Sequence, residues 1–140
     1  MFHIDARAVE FLAAEPALIG QLGYIGRDGG PVVTPVWYRF LDNRLEFVTQ
    51  LGTAKIAALR QEPRAAVTVA SQTEPYGYVQ VQGTVQIDPE PDATHAALIE
   101  IAARYLGRER AAAYVREHHS APGEAIVRLS PARVRAMLPA

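Results

Sequence analysis

Cysteine is absent from this 140-residue sequence, and with it go disulfides, thiolate nucleophiles, iron–sulfur clusters and sulfur-ligated zinc sites. Redox chemistry, if any, must come from a bound cofactor. An excess of charge of either sign is missing too: 14 Lys and Arg face 15 Asp and Glu, a net charge of −1. With no contiguous basic stretch, a nucleic acid partner is not expected. Long apolar runs are also lacking. Asp5, Glu10 and Glu15 interrupt the N-terminal segment, so neither a signal-peptide core nor a membrane span is expected there, and the expectation is a soluble, cytoplasmic protein with no membrane partner. Lysine occurs once, as Lys55, among thirteen arginines. Hydrophobic residues make up 49% and charged ones 21%, near the globular average, which suits a single domain over residues 1–140.

Strand signals dominate the chain. Ala17 to Arg27, the turn Asp28-Gly29-Gly30-Pro31 and the run VVTPVWYRF read as a hairpin. A second turn, Leu41 to Arg44, leads into LEFVTQ, and residues 64–70 (RAAVTVA) give another strand. The strongest β pattern is Val79, Val81, Val85 and Ile87 alternating with Gln80, Gln82, Thr84 and Gln86, with Gly83 at a bulge or barrel bend. Glu124 to Ser130 and Val134 to Leu138 supply one more strand, bent at Pro131. Helices are short or late: one behind Asp5 ending near Pro16, one from Thr53 to Pro63, one from Asp92 to Leu106 stopped by Gly107, and one to about His119. About six strands with these helices predict a mainly β, α+β fold, a small antiparallel barrel with helices on its ends. Side chains fill so small a barrel, so a ligand site belongs outside it, between subunits.

The sharpest local feature is the strand, turn and helix start from Phe47 to Lys55. A helix N-terminus offers unpaired N–H groups and about half a positive charge, and here Thr49, Thr53 and the lone lysine accompany it. That is the makeup of a phosphate cradle. A plain cap at Thr53 with a solvated Lys55 accounts for the local pattern equally well. The second feature is Thr34-Pro35-Val36-Trp37-Tyr38, where a proline marks an edge strand. A planar ring could lie along such an edge, with the aromatics as apolar surface; Tyr76 and Tyr78 add two more flat faces. Other constellations are missing. There is no GxxxxGK, no GxSxG and no HExxH, and the glycines at 26, 29 and 30 sit in a hairpin rather than before a helix. His118 and His119, being adjacent, point apart, so no metal is expected. The arginines at 104, 108, 110 and 116 read as a solvated helix surface. No side chain stands out as a catalytic acid; Tyr38, Tyr76 and Tyr78 are the candidates.

Taken in order, GYIGRDGGPVVTPVWYRF, LEFVTQLGTAKIAALRQEPRAAVTV and YGYVQVQGTVQI resemble the pyridoxamine 5′-phosphate oxidase-like split-barrel family, closest to its small flavin- or deazaflavin-dependent oxidoreductases. The resemblance implies a six-stranded antiparallel split barrel of the FMN-binding type. It also implies a homodimer with two cofactor sites, for FMN or coenzyme F420, at the subunit interface, and a small conjugated organic substrate. Carried over residue by residue, Thr34, Pro35, Val36, Trp37 and Tyr38 would run beside the cofactor ring. Thr49, Gln50, Thr53, Ala54 and Lys55 would hold the phosphate, and Tyr76 and Tyr78 would reach in from the partner subunit. Two departures matter: Thr34 and Ala54 stand where pyridoxamine phosphate oxidases carry arginine, and the C-terminal Trp and Arg segment for the substrate phosphate is missing. The resemblance therefore points to a flavin-type oxidoreductase other than a pyridoxamine phosphate oxidase. A second reading is a non-catalytic module that binds or senses a flavin, haem or other planar ligand. Arg60 and Arg64 are candidate partners for the anionic tail of F420.

Overall fold

The structure, a computed structural model, describes residues 2–119 and 123–139. Asp5 caps the first helix, α1 (Ala6–Leu12), by accepting from the Arg7 amide at 2.9 Å. The hairpin follows as β1 (Gly20–Ile25) and β2 (Pro31–Val36), then β3 (Arg39–Leu41) and β4 (Arg44–Gln50). Asp42 and Asn43 both have positive φ, 53° and 61°, the backbone that a two-residue hairpin requires and that these side chains tolerate. Helix α2 (Ala54–Gln61) starts at the Thr53 cap, and β5 (Arg64–Ala70) and β6 (Tyr78–Asp88) follow. Helices α3 (Pro91–Leu106) and α4 (Arg108–His118) meet at Gly107, and β7 (Glu124–Met137) ends the fold. The last strand is single, as expected, and its register against β6 shifts at Pro131, where the bend was expected. The first helix stops at Leu12 rather than reaching Pro16.

The strands form one antiparallel sheet in the order β2-β1-β5-β6-β7-β4-β3. Its two edge strands, β2 and β3, are consecutive in the chain and separated by Trp37 and Tyr38 alone, so the sheet curls round and its edges meet at this junction. The count is seven strands against six expected because VVTPVWYRF, read as one strand, is broken there. The break has an identifiable cause. The Tyr38 N–H donates to the Tyr105 hydroxyl at 3.2 Å, and the Tyr38 carbonyl accepts from the Arg104 guanidinium. Both main-chain groups are thus taken by α3 side chains, which satisfies them without a ladder.

Inward-facing residues fill the barrel. Leu22, Leu45, Phe47, Val67, Val69, Val79, Val81, Val127 and Leu129 are all buried, as the period-two pattern of β6 requires. Leu12 of α1 and Ile56 and Leu59 of α2 join the same cluster. Each such side chain contributes about 1.5–3 kcal/mol of transfer free energy. No room is left inside for a ligand of cofactor size. Gly83 sits where the β6–β7 register shifts, opposite Pro131, and this is the bulge expected from sequence. A smaller cluster of Leu98, Ala102, Ala111 and Val115 joins α3 to α4, and Val48 on the outer face of β4 packs against it. The helical pair therefore covers one outer face of the barrel.

Candidate functional site

Helical spacing determines what α3 presents to the seam. Leu98, Ile101, Ala102 and Tyr105 recur at i, i+3, i+4 and i+7, one face of a helix. Tyr105 lies flat against Trp37, with ring centroids 4.8 Å apart and planes 8° from parallel, and its hydroxyl donates to the Leu18 carbonyl at 2.8 Å. Tyr114 of α4 leans on the same indole at 5.5 Å. Trp37, which cannot enter the filled barrel, is thus turned outward into an aromatic stack. Tyr38 goes the other way. Its ring is fully buried, its hydroxyl donates to the Leu12 carbonyl at 2.7 Å, and Arg104 lies over the ring at 4.7 Å. Burial pushes its hydroxyl up to about 12, against the smaller opposing effect of Arg104, which makes it a poor proton donor near neutral pH. Arg104 is no solvated surface residue, contrary to expectation: it also donates to the Leu12 carbonyl at 3.2 Å and ties α3 to both α1 and the strand break.

Between this stack and the start of α2 lies a pocket of about 210 Å3 lined by Pro35, Val36, Trp37, Val48, Lys55, Leu98, Ile101, Ala102, Tyr114 and His119. Lys55 is drawn into it. Its ammonium lies 6.0 Å from the centroid of the Phe47 ring, and desolvation lowers its pKa below the usual lysine value, with no charged partner among the described residues to offset the cost. A partly desolvated cation at a helix N-terminus is matched by an anion. Thr53 is a helix cap: its hydroxyl donates to the Gln50 carbonyl at 2.8 Å and accepts from the Ile56 amide at 3.3 Å. Its one proton is spent, so the free donors here are the first amides of α2 and Lys55 itself.

The other residues singled out from sequence are dispersed. Thr34 stands opposite Leu22 and so shares the barrel's inner face, where its hydroxyl has no hydrogen-bond partner among the described residues. Thr49 pairs with Ala125 and Gln50 with Glu124 in the ladder; Ala54 is exposed. Tyr76 is exposed, and Tyr78 pairs with Ala70 and Met137; neither lines the pocket. Arg64 is exposed and paired with Glu62 at 2.5 Å, away from Lys55. No local pattern announced the far wall of the pocket, contributed by α3 and α4. Nor did any pattern reveal that His119 Nδ1 lies 2.8 Å from the Glu124 carboxylate.

One antiparallel sheet whose two edge strands are joined at the Trp37–Tyr38 break is the fold of the split-barrel proteins. The sequence matches the family described as pyridoxamine 5′-phosphate oxidase over residues 4–138, and the chain belongs to that family. Among solved structures it is similar to a conserved hypothetical protein of Mycobacterium tuberculosis, with TM-score 0.79 and 24% identity over 100% of this chain and 91% of that one. It is also similar to an F420 reductase, with TM-score 0.70 and 26% identity over 90% and 94% of the two chains. A haem-binding protein of Mycobacterium smegmatis shares the fold at TM-score 0.65 and 20% identity, over 98% of this chain and 55% of that one. No curated protein matches the sequence. No helix among the described residues is long and apolar enough to cross a membrane.

Proposed function

We propose that this chain is an oxidoreductase of the flavin type, holding FMN or F420 against the seam and acting on a small conjugated organic molecule. The observation that carries the reading is Lys55, a partly desolvated ammonium with no charged partner among the described residues, lining the same pocket as the Pro35–Trp37 edge. A cofactor phosphate is the anion that this position suits. Lys55 and the first amides of α2 would bind it, while the exposed edge of β2 would lie along the ring. Pro35 has no N–H to offer, which fits an edge that takes no further strand. When bound, the cofactor supplies hydride transfer; the chain orients it and, through Trp37 and the α3 and α4 wall, keeps water from one side.

The homodimer is part of the same proposal, as is a cytoplasmic setting. Two features support self-association. The pocket is too small to enclose a flavin by itself. Also, an open groove of about 810 Å3 across β1, β2, β5, β6 and β7 is lined by Tyr24, Ile25, Val33, Arg64 and Arg133 among others, with Val33 67% exposed. Apolar surface of this kind marks an interaction site. The resemblance would have Tyr76 and Tyr78 of a second copy reach the neighbouring site.

Titration of the purified protein with FMN and with F420, followed by absorbance and fluorescence, tests the reading. One of them should bind tightly, and Lys55→Ala should weaken it by about 10- to 100-fold, the worth of one charge-assisted hydrogen bond. Affinity should also fall as pH rises through the lowered Lys55 pKa, since the neutral amine no longer attracts the phosphate. Uptake of neither cofactor overturns the proposal. Uptake without reduction of any conjugated acceptor would leave the binding or sensing module instead.

A further inference from the structure

We infer that His119, positioned by Glu124, is the proton-exchanging group of the seam pocket; this rests on the oxidoreductase reading above. The Glu124 side chain is only 9% exposed and that of His119 25%, and Nδ1 approaches the carboxylate to 2.8 Å. An ionised carboxylate only accepts hydrogen bonds, so Nδ1 carries the proton and Nε2 is the nitrogen free to gain and lose one. The ring is further steadied by Tyr114, 5.6 Å away between centroids, and His119 is among the residues that line the pocket beside Lys55 and Trp37. Its neighbour His118 is exposed and stays on the solvent side of α4. The buried hydroxyl of Tyr38 is already given to a carbonyl, which leaves the imidazole as the better placed donor.

Reduction of a conjugated acceptor needs a hydride, which brings the two electrons the cofactor gives up, and a proton. In this arrangement the imidazolium supplies the proton. Its Nε2–H bond breaks as a C–H or O–H bond forms on the acceptor, and the neutral ring remains as the Nδ1–H form that Glu124 holds. Solvent then reprotonates Nε2; in the oxidative direction the same nitrogen takes the proton up. Glu124, which holds the ring, and Lys55, which lines the same pocket, are the charged groups beside this step.

The experiment has one arm without cofactor and one with it. In the cofactor-free protein, ring-nitrogen NMR of the neutral His119 should show the Nδ1–H form, and Glu124→Ala should release the ring to a mixture of both forms; a mixture already present in the wild type overturns the coupling. In the loaded protein, His119→Gln should lose about 100-fold in turnover and Glu124→Ala less, while cofactor affinity is kept in both. Tight cofactor uptake with unchanged turnover in His119→Gln would overturn this inference alone. No uptake by the wild-type protein would remove the oxidoreductase reading, and this inference with it.

Discussion

Replacing Gly83 with alanine should be among the most damaging single-methyl changes in the molecule. A Cβ at that position would overlap the Ser130 carbonyl oxygen and stand 2.8 Å from the Ser130 carbonyl carbon and 3.3 Å from the Ala132 nitrogen. These are backbone atoms of the paired strand, so no rotamer change relieves the contact. The strands have to part where β6 meets β7, at the register shift between Gln82 and Gly83. Overpacking costs about 1–3 kcal/mol, and two ladder hydrogen bonds lost in the process add about 1 kcal/mol each. The expected total is about 3–5 kcal/mol, read as a fall in the urea midpoint at constant slope. Gly52→Ala is the matched control: nothing lies within 4 Å of its Cβ, and it should change stability by less than about 1 kcal/mol. If Gly83→Ala unfolds within about 1 kcal/mol of the wild type, the close approach of Ser130 is not what holds glycine there, and the account of the bulge fails.

Glu46 is 2% exposed and bridges Arg39 and Arg128, each at 2.7 Å, so Glu46→Ala should cost about 3–5 kcal/mol by leaving Arg39 without its carboxylate and Arg128 with Asp88 alone. Chemical denaturation measures this. The raised Tyr38 pKa gives a signed pH effect: the folded form keeps its phenol proton up to about 12, whereas the unfolded chain loses it near the ordinary tyrosine value of about 10. Stability should therefore fall by up to about 1.4 kcal/mol per pH unit in that interval, because unfolding there releases the phenol proton and the folded state holds more protons than the unfolded one. Tyr38→Phe should remove that part of the slope. Trp37 is the single tryptophan, so its fluorescence reports on the seam; it should be quenched on cofactor binding, and an unchanged emission with saturated cofactor would place the ring elsewhere.

What could be read from sequence was what local chemistry dictates. The alternation in β6, the Asp42-Asn43 turn, the Thr53 cap and the glycine at the bulge each depend on a residue and its immediate neighbours. The break at Tyr38 was unreadable because its cause lies 66 and 67 residues away, in Arg104 and Tyr105. Arg104 looked like one more solvated arginine for the same reason: its partners are backbone carbonyls of Tyr38 and Leu12, and no side-chain pattern announces a carbonyl. The pairing of His119 with Glu124 spans only five positions but crosses from the end of α4 to the start of β7, where neither helical nor strand periodicity applies.

The pocket and the strand break have one origin. A continuous strand from Val32 to Phe40 would keep alternating, and neighbouring Trp37 and Tyr38 would still face opposite sides, but their backbone groups would stay within the ladder. Handing those groups to Arg104 and Tyr105 anchors α3 directly over the seam, which places Tyr105 against Trp37 and sets Leu98 and Ala102 in the cluster that Val48 packs against. The wall opposite Lys55 exists because those two backbone groups left the sheet. Tyr105→Phe separates the two consequences: the stacked ring remains, while the Tyr38 amide and the Leu18 carbonyl each lose their partner. A loss of about 1–3 kcal/mol is expected from the unpaired buried groups. If the break organises the pocket, ligand affinity should fall along with stability; if affinity stays constant while stability drops, the aromatic stack alone shapes the site.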